Sequence, residues 1–446
     1  MTNSFSRPDD IFRVIRDRDV RSVELQFTDV MGMVKTVTID ANYLPTALEE
    51  GIWFDGSAVE GFARVAESDM YLMPDLSTFA ILPWEEHIAE IGRTARILCD
   101  VYTPNGQPFA GDPRGALRRA MDQAEEMGLQ YVVAPELEFY LFQNDGISPE
   151  PDDQASYFDA SDGVARVVRK RATDALRAMG IIVESSHHEV GGGQHELDFT
   201  PVDALHMADA VVTARMVLRT IARQADRFVT FMPKPITSAP GSGMHIHQWL
   251  RDSQTGENRF SDPTNDYGLS AEAQSFLAGQ LMYAREICAV LAPLVNSYRR
   301  LMAGLEAPIY VTWAQLNRGA LLRVPRLADP NKQGTRIEMR CPDPSCNPYL
   351  AFAVLLHAGL RGIRESLTLP PAAEEELYEV SNRRRHLVTL PTSLNEALDE
   401  FEGSELVREA LGLHLFERFL EGKRLEWKDY LLVVSPWELE RYLSIY

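Results

Sequence analysis

Segments in which polar and apolar residues alternate recur along the chain, and this period of two predicts half-buried β-strands. The clearest examples read RSVELQFT, MVKTVTI, LQYVVAPELEFYLF, QHELDF, GMHIHQWL and TRIEMRC. Longer segments with a helical period separate them, and they predict helices over residues 10–19, 113–128, 162–180, 203–226, 269–291 and 347–363. The C-terminal eighty residues are mostly helical in pattern. The mixture of strands and helices predicts an α+β protein.

The segment TPNGQPFAGDP, residues 103–113, is rich in turn residues and marks the best candidate domain boundary. It predicts an N-terminal domain over residues 1–102 and a second domain over 114–446. Asp112 and Pro113 fit the N-cap and the first position of a helix. Residues 51–75 have no clear period and predict a long loop. No Rossmann fingerprint or GxxxxGK phosphate loop is present in the sequence.

The stretch HHEVGGGQHELDF, residues 187–199, places two carboxylates on either side of a triple glycine. The glycines permit a tight turn, so Glu189 and Glu196 can return to one place. Alternation puts Gln194, Glu196 and Asp198 on one face of the following strand. Taken alone, the stretch also fits a hairpin with solvated acids.

Three other strands each carry charged or histidine side chains two positions apart, which places them on one face. They are Glu136 with Glu138, His245 with His247, and Arg336 with Glu338 and Arg340. A carboxylate buried without a partner is very costly, so such pairs within apolar strands call for cations. If the strands converge, five glutamates and one histidine would form two sites for a hard metal, Mg²⁺ or Mn²⁺. For any single pair, surface exposure is the better explanation, but three such pairs together with residues 187–199 argue against coincidence.

A local reversal of charge lies between Arg299 and Arg340, where eight basic residues accompany only three acidic ones. The chain as a whole has a net charge of -21. Guanidinium groups suit carboxylate and phosphate oxygens, and together with divalent cations they suit phosphoryl transfer from a nucleotide. The alternative is a solvated basic face.

Length and composition narrow the class of protein. The 446 residues exceed one compact core, and 45% hydrophobic with 24% charged residues is ordinary for a globular protein. The acidic balance argues against nucleic acid and anionic membrane as partners. No apolar run would span a bilayer, and the N-terminus does not fit a secretory signal. Four scattered cysteines predict reduced thiols and a cytoplasmic protein.

Many ordered landmarks give the chain a resemblance to type I glutamine synthetases, alpha-like subgroup. They read FDGSAVEGF, ESDMYLMPD, PELEFYLF, SHHEVGGGQHELDF, FMPKP, GSGMHIH, NSYRRL, EAP, NRGALLRVP and TRIEMRCPDPSCNPYLA. The resemblance implies a β-grasp-like N-terminal domain and a C-terminal catalytic domain built on an antiparallel sheet. It also implies a homo-oligomer, a dodecamer, with active sites between subunits, and glutamate, ammonia and ATP as ligands.

The resemblance also implies a role for each matching position. Two or more Mg²⁺ or Mn²⁺ ions would be held by Glu138, Glu189 and Glu196, and by Glu136, His245 and Glu338. Glutamate or ammonium would be bound by Gly241, Arg300, Arg340 and Tyr157, and the nucleotide by Glu184, His247, Arg323 and Arg336. The catalytic residues would be Asp55 from the neighbouring subunit, the flap residue Glu306, and Arg318. Arg64 falls where the subgroup has an arginine tied to glutamine feedback.

The implied reaction activates glutamate as γ-glutamyl phosphate, which ammonia then attacks to give glutamine, ADP and phosphate. Several positions depart from the family pattern, namely Ala58, Pro201, Pro240, Trp249, Ala303, Leu305 and Gly319. Loss of a hydroxyl at Ala58 and a changed flap could admit a larger amine. A γ-glutamyl-amine ligase that uses an alkylamine or polyamine is therefore the alternative function. A nitrogen-status binding protein with weak catalysis is a third hypothesis, and the complete ligand set argues against it.

Overall fold

A computed structural model describes residues 7–59, 69–85, 92–143, 149–160, 163–302, 307–326, 334–374 and 387–446. Its elements form two sheets, each with its own hydrophobic core. The smaller sheet is built from residues before 103 and the larger from residues after 128.

The N-terminal sheet contains six strands in the order β2-β1-β6-β4-β3, and β5 also pairs with β6. The strands are β1 (Val20–Thr28), β2 (Val34–Asp40), β3 (Ile52–Asp55), β4 (Asp69–Pro74), β5 (Ala80–Ile81) and β6 (Arg93–Tyr102). The predicted hairpin is confirmed, because β1 and β2 pair antiparallel with Leu25 opposite Val37. Helices α1 (Pro8–Asp17) and α2 (Leu44–Glu50) complete this unit.

The prediction of a continuous loop over residues 51–75 is wrong at both ends. β3 and β4 pair antiparallel there, with Trp53 opposite Tyr71 and Phe54 opposite Met70. The rings of Trp53 and Tyr71 lie 5.1 Å apart, a cross-strand aromatic contact that stabilises such a pair. β3 is half exposed and only four residues long, so it is too short to show a clear period.

The larger sheet contains nine strands, with the path β13-β14-β15-β12-β7-β9-β8 and with β10 and β11 also paired to β7. Its pairs are antiparallel except for the parallel pair β13–β14. The strands are β7 (Leu129–Phe142), β8 (Val183–His188), β9 (Gln194–Phe199), β10 (Val202–Asp203), β11 (Phe228–Thr230), β12 (Met244–Asp252), β13 (Tyr310–Ala314), β14 (Ala320–Arg323) and β15 (Ile337–Met339).

Eleven further helices are described after β6. They are α3 (Pro113–Glu125), α4 (Val164–Ala178), α5 (Ala204–Arg223), α6 (Ala271–Met282), α7 (Ala284–Leu291), α8 (Ser297–Arg300), α9 (Pro348–Arg364), α10 (Leu394–Glu402), α11 (Glu405–Leu411), α12 (Leu413–Leu431) and α13 (Pro436–Tyr442). The Asp112 carboxylate accepts a hydrogen bond from the Arg114 amide, which confirms the predicted cap of α3. The single helix predicted over residues 269–291 is instead divided into α6 and α7 at Tyr283.

Helix α9 lies in the middle of the helical layer and is apolar on nearly all sides, as a fully buried helix must be. It packs closely against α6 where two glycines meet. A Cβ atom on Gly279 would lie 2.2 Å from the Ala358 carbonyl oxygen, and one on Gly362 would lie 2.1 Å from the Ser275 carbonyl oxygen. Only glycine permits this approach of the two backbones.

A buried ionic cluster, the Arg114 network, joins the two sheets. The Arg114 guanidinium contacts Asp75 at 2.7 Å, Asp100 at 2.6 Å and Asp209 at 2.9 Å. The Tyr349 hydroxyl donates a further hydrogen bond of 2.6 Å to Asp209. Asp75 and Asp100 belong to the N-terminal unit, while Asp209 lies on α5, so one cation holds both units together.

These features confirm the predicted α+β fold. Among the helices described, none is long and apolar enough to cross a membrane. All four cysteines are free, as the sequence predicts, and the structure shows that they are also buried.

Candidate active site

The strand register of the large sheet gathers the predicted carboxylates on one face. Glu138 on β7 lies opposite Glu196 on β9, and Glu136 lies opposite Asp198. On the other side of β7, Glu136 lies opposite His245 of β12. The alternation seen in the sequence therefore aligns across three neighbouring strands. We call Glu136, Glu138, Glu189, Glu196 and Glu338 the carboxylate cluster.

One end of this cluster combines two glutamates with histidines. Glu136, His245 and Glu338 each offer a ligand atom within 4.8 Å of the others. The Glu136 carboxylate lies 3.1 Å from His245 Nδ1 and 2.7 Å from His247 Nε2. Burial would raise the pKa of Glu136, but these two imidazole contacts lower it instead. Burial lowers the pKa of His245, which keeps its ring neutral and able to act as a ligand.

The other end of the cluster is a group of glutamates that repel one another. Glu138 is 7% exposed and Glu196 is 6% exposed. Burial and the nearby Glu189 raise the pKa of Glu138 to about 8. Burial, Glu138 and Glu136 raise the pKa of Glu196, and burial raises that of Glu189. Raised pKa values at converging carboxylates indicate that this face lacks positive charge.

A second ligand group overlaps this end and includes two residues without an assigned role from the sequence. His187, Glu196 and Asp198 each place a ligand atom within 4.8 Å of the others. His187 Nε2 lies 3.1 Å from Glu196, and its Nδ1 lies 3.6 Å from Glu189. The alternation along β9 already puts Asp198 on the same face as Glu196, and that was the available signal.

The loop that carries Gly241 runs directly beside Glu138. The Gly243 amide donates a hydrogen bond of 3.0 Å to the Glu138 carboxylate, and the Gln194 side chain donates another of 3.1 Å. Gln194 also donates to the Gly241 carbonyl oxygen. A Cβ atom on Gly241 would lie 2.8 Å from Arg300 Cγ, so a larger residue would displace that arginine.

Three of the predicted arginines border the cluster. Arg300 is buried and donates to the carbonyl oxygens of Cys341 and Arg340 at 2.7 and 2.9 Å. Arg340 Nε lies 3.1 Å from one Glu338 oxygen, and Arg323 donates to the other. Another predicted arginine, Arg318, follows β13 and lies near Tyr157, whose pKa is raised by burial and by Glu189 while Arg318 opposes the rise.

A pocket of about 490 Å³ opens next to Glu136 and His247. Glu184, His247 and Arg336, which the sequence assigns to nucleotide binding, all line it. Arg336 Nε donates to His247 Nδ1 over 3.2 Å. Arg323, assigned to the same role, is not among the lining residues and pairs with Glu338 instead. Two of the departures from the family pattern, Pro201 and Trp249, also form the wall.

Some predicted site residues are not among those that the structure places around the carboxylate cluster and its pocket. Asp55 ends β3 at the edge of the N-terminal sheet, where it is fully exposed and accepts hydrogen bonds from Ser57. Glu306, Arg64, Ala303 and Leu305 lie outside the described residues.

The donor set of the cluster fits divalent cations. It offers carboxylate oxygens, the ligands that hard metal ions prefer, and His245 beside Glu136 and Glu338 adds one imidazole. A bound cation would remove the repulsion that raises the pKa values of Glu138 and Glu196.

Comparisons with known proteins identify the family. The family model for "Glutamine synthetase, catalytic domain" matches residues 110–442. The family model for "Glutamine synthetase, beta-Grasp domain" matches residues 19–104. The chain belongs to the glutamine synthetase family.

Curated relatives named glutamine synthetase align over nearly the whole chain. The one from Methanosarcina mazei is 46% identical over 444 residues, with 98% of both chains covered. The one from Thermotoga maritima is 43% identical, covering 98% of this chain and 99% of the relative. The relative from Mycolicibacterium smegmatis is 46% identical over 442 residues. These relatives confirm the predicted enzyme, an ATP-dependent carbon–nitrogen ligase of the glutamate–ammonia ligase class.

Solved structures agree on the fold. A complex of GmaS with ADP covers 100% of both chains at a TM-score of 0.88 and 28% identity. GmaS without ligand covers 96% of this chain and 98% of its own at a TM-score of 0.86, also with 28% identity. The family uses ATP and divalent metals, and the carboxylate cluster and its neighbouring pocket lie where such groups can bind.

Proposed function

We propose that the protein joins ammonia to the γ-carboxylate of glutamate through γ-glutamyl phosphate, and releases glutamine, ADP and phosphate. The observation that carries this proposal is the buried carboxylate cluster, bordered by arginines and by a pocket of about 490 Å³. The relatives named glutamine synthetase, 43% to 46% identical over the full chain, support it.

In this proposal the cluster holds two or more ions of Mg²⁺ or Mn²⁺. Glu138, Glu189 and Glu196 would hold one ion, while Glu136, His245 and Glu338 would hold another. The bound ions would neutralise phosphate oxygens during phosphoryl transfer. The protein itself supplies fixed carboxylates, because Glu138 is already held by the Gly243 amide and Gln194.

The remaining groups bind and orient the substrates. Arg300, Arg340, Gly241 and Tyr157 are proposed to bind glutamate and ammonium, with Arg318 near the transferred phosphoryl group. Arg300 is held through two carbonyl oxygens, which leaves its position fixed before a substrate arrives. Glu184, His247, Arg336 and Arg323 are proposed to contact the nucleotide, the first three from the pocket wall.

We also propose that the active enzyme is a homo-oligomer, a dodecamer, in which Asp55 and Glu306 serve in proton removal from ammonium. Asp55 is exposed at a sheet edge of its own chain, so it is free to reach a neighbouring subunit. The C-terminal segment supports assembly, since it leaves Leu432, Trp437, Leu443 and Ile445 more than half exposed. Arg64 remains a proposed feedback residue.

A second candidate function is a γ-glutamyl-amine ligase that uses an alkylamine or polyamine in place of ammonia. The loss of a hydroxyl at Ala58 and the changed flap residue Leu305 favour it.

The deciding experiment measures phosphate release from ATP with glutamate and Mg²⁺, and compares ammonium with methylamine, ethylamine and a polyamine. The first proposal expects ammonium to give the highest kcat/KM. A tenfold preference for an amine, equal to about 1.4 kcal/mol of transition-state free energy, would establish the second. The variant Ala58→Ser is the matched control, because it should leave the ammonium rate unchanged under the first proposal and reduce the amine rate under the second.

A further inference from the structure

A second cavity lies between the N-terminal unit and the catalytic unit. It has a volume of about 630 Å³, a size typical of sites for small organic ligands. Residues of α1, β5 and β6 form one side, and residues of β10 and α5 form the other. None of the carboxylate cluster lines it. Apolar side chains dominate its wall, among them Phe79, Ile81, Ile182, Phe199 and Met207.

One wall residue is a buried arginine without full pairing. Arg96 lies on β6, opposite Ala80 of β5, and is 3% exposed. Within the part of the chain that the structure describes, its Nε and Nη1 atoms have no hydrogen-bond partner. Burial lowers the pKa of Arg96, although an arginine remains charged at neutral pH. Two unsatisfied guanidinium nitrogens beside an open cavity point to a ligand that accepts hydrogen bonds.

The acidic residues of the wall already accept hydrogen bonds from other side chains of the protein. Asp209 accepts hydrogen bonds from Arg114 and from the Tyr349 hydroxyl. Asp203 accepts from His206 over 2.6 Å, and that contact raises the pKa of His206. Arg18 and Arg93 also line the cavity and add positive charge. The cavity therefore combines an excess of cations with an apolar wall.

We propose that this interdomain cavity binds a small organic carboxylate, whose charged end contacts Arg96 and whose apolar body packs against Phe79, Ile182 and Met207. A carboxylate fits better than free phosphate because phosphate has no apolar part to cover these side chains. Its two oxygens also suit a guanidinium with two nitrogens that lack hydrogen-bond partners among the described residues. Because both units form the wall, a bound carboxylate stabilises their contact and raises the unfolding temperature.

The test uses the full-length enzyme without nucleotide and measures the unfolding temperature together with heats of binding. The probes are hexanoate and phenylacetate, with hexanamide as the neutral counterpart of hexanoate and inorganic phosphate as the anion without an apolar body. Three variants accompany the wild type. Arg96→Met removes the charge, Ala210→Met fills part of the cavity from α5, and Arg13→Gln removes an exposed charge of α1 outside the wall.

The proposal expects a carboxylate-dependent rise in the unfolding temperature of the wild type and of Arg13→Gln. Hexanamide and phosphate should give no such rise, and at least a tenfold loss of affinity should follow from Ala210→Met and from Arg96→Met. If Arg96→Met does not fold, Ala210→Met decides alone. Absence of carboxylate binding overturns the proposal, as does equal binding by hexanamide or phosphate or unchanged affinity in Ala210→Met. The readout does not depend on catalysis, so it is independent of the proposed reaction.

Discussion

The Arg114 network and the end of the carboxylate cluster formed by Glu138, Glu189 and Glu196 both hold several acidic side chains. Among the residues that the structure describes, only the network has a guanidinium that contacts all of its carboxylates. In the Arg114 network, one guanidinium with 4% of its side chain exposed contacts three carboxylates. In this end of the cluster, Glu138 on β7 lies opposite Glu196 on β9, and Glu189 lies in the turn between β8 and β9.

The effect of burial on pKa shows the difference. Burial acts to raise the pKa of both Asp75 and Glu138. The nearby Arg114 overcomes it and lowers the pKa of Asp75 to about 2. Glu189 adds to it and raises the pKa of Glu138 to about 8. A buried acid with its cation supports the fold, whereas buried acids without one are ready to bind a cation from solution.

The largest expected effect is on stability, from removal of the cation in the Arg114 network. We expect Arg114→Met to lower the free energy of unfolding by about 3–5 kcal/mol, because the buried Asp209 and the partly buried Asp75 and Asp100 lose their shared partner. Urea denaturation followed by tryptophan fluorescence measures the loss. The control Arg118→Gln removes an arginine that contacts Asp75 and Asp100 but has 39% of its side chain exposed, so about 1 kcal/mol or less should be lost. Equal losses in both variants would show that the network is not the main link.

In the carboxylate cluster, removal of one charged side chain should reduce activity without reducing stability. We expect Glu138→Gln to lower kcat/KM roughly a hundredfold or more, since loss of a metal-ion contact removes several kcal/mol of transition-state stabilisation. The unfolding temperature of the same variant in EDTA should equal or exceed that of the wild type, because one repelling carboxylate is gone. Addition of Mg²⁺ or Mn²⁺ should stabilise the wild type more than the variant. The exposed Glu126→Gln serves as control, and a clear loss of stability in EDTA for Glu138→Gln would contradict the comparison.

The smallest expected effect is on the loss of stability at acidic pH. The pKa of Asp75 is lowered below its usual value of 3.8 to about 2, so its ion pair contributes stability above pH 4. That contribution is lost as the pH falls from about 4 towards 2. Asp75→Asn should therefore show a smaller fall in unfolding temperature over this range than the wild type. Identical slopes for the two proteins would place the acid sensitivity elsewhere.

The sequence was most informative where the alternation of polar and apolar residues places side chains on one face of a strand. Glu136 and Glu138 were placed on one face by their spacing alone, and the register with β9 and β12 then brought Glu196 and His245 beside them. The hairpin of β1 and β2 and the cap of α3 at Asp112 were predictable for the same reason, because local rules determine both.

Contacts between residues that are distant in sequence could not be predicted from local patterns. Asp75, Asp100 and Asp209 give no local signal that one arginine will join them, since their meeting depends on how the two units pack. The strands β3 and β4 are short and half exposed, so their pairing depends on each other rather than on a period. His187 was visible in the sequence, but only the register of β8 with β9 places it opposite Glu196.

The burial of all four cysteines makes the native chain a convenient background for chemical labelling. Burial raises the pKa of the Cys99 and Cys346 thiols, a hydrogen bond with Cys288 and burial raise that of Cys341, and Cys288 is equally enclosed. Thiol reagents should therefore leave the folded enzyme almost unmodified. A single cysteine introduced at Trp53, beside the sheet edge that carries Asp55, would accept a fluorophore or cross-linker selectively. It would report directly whether that edge meets a second subunit.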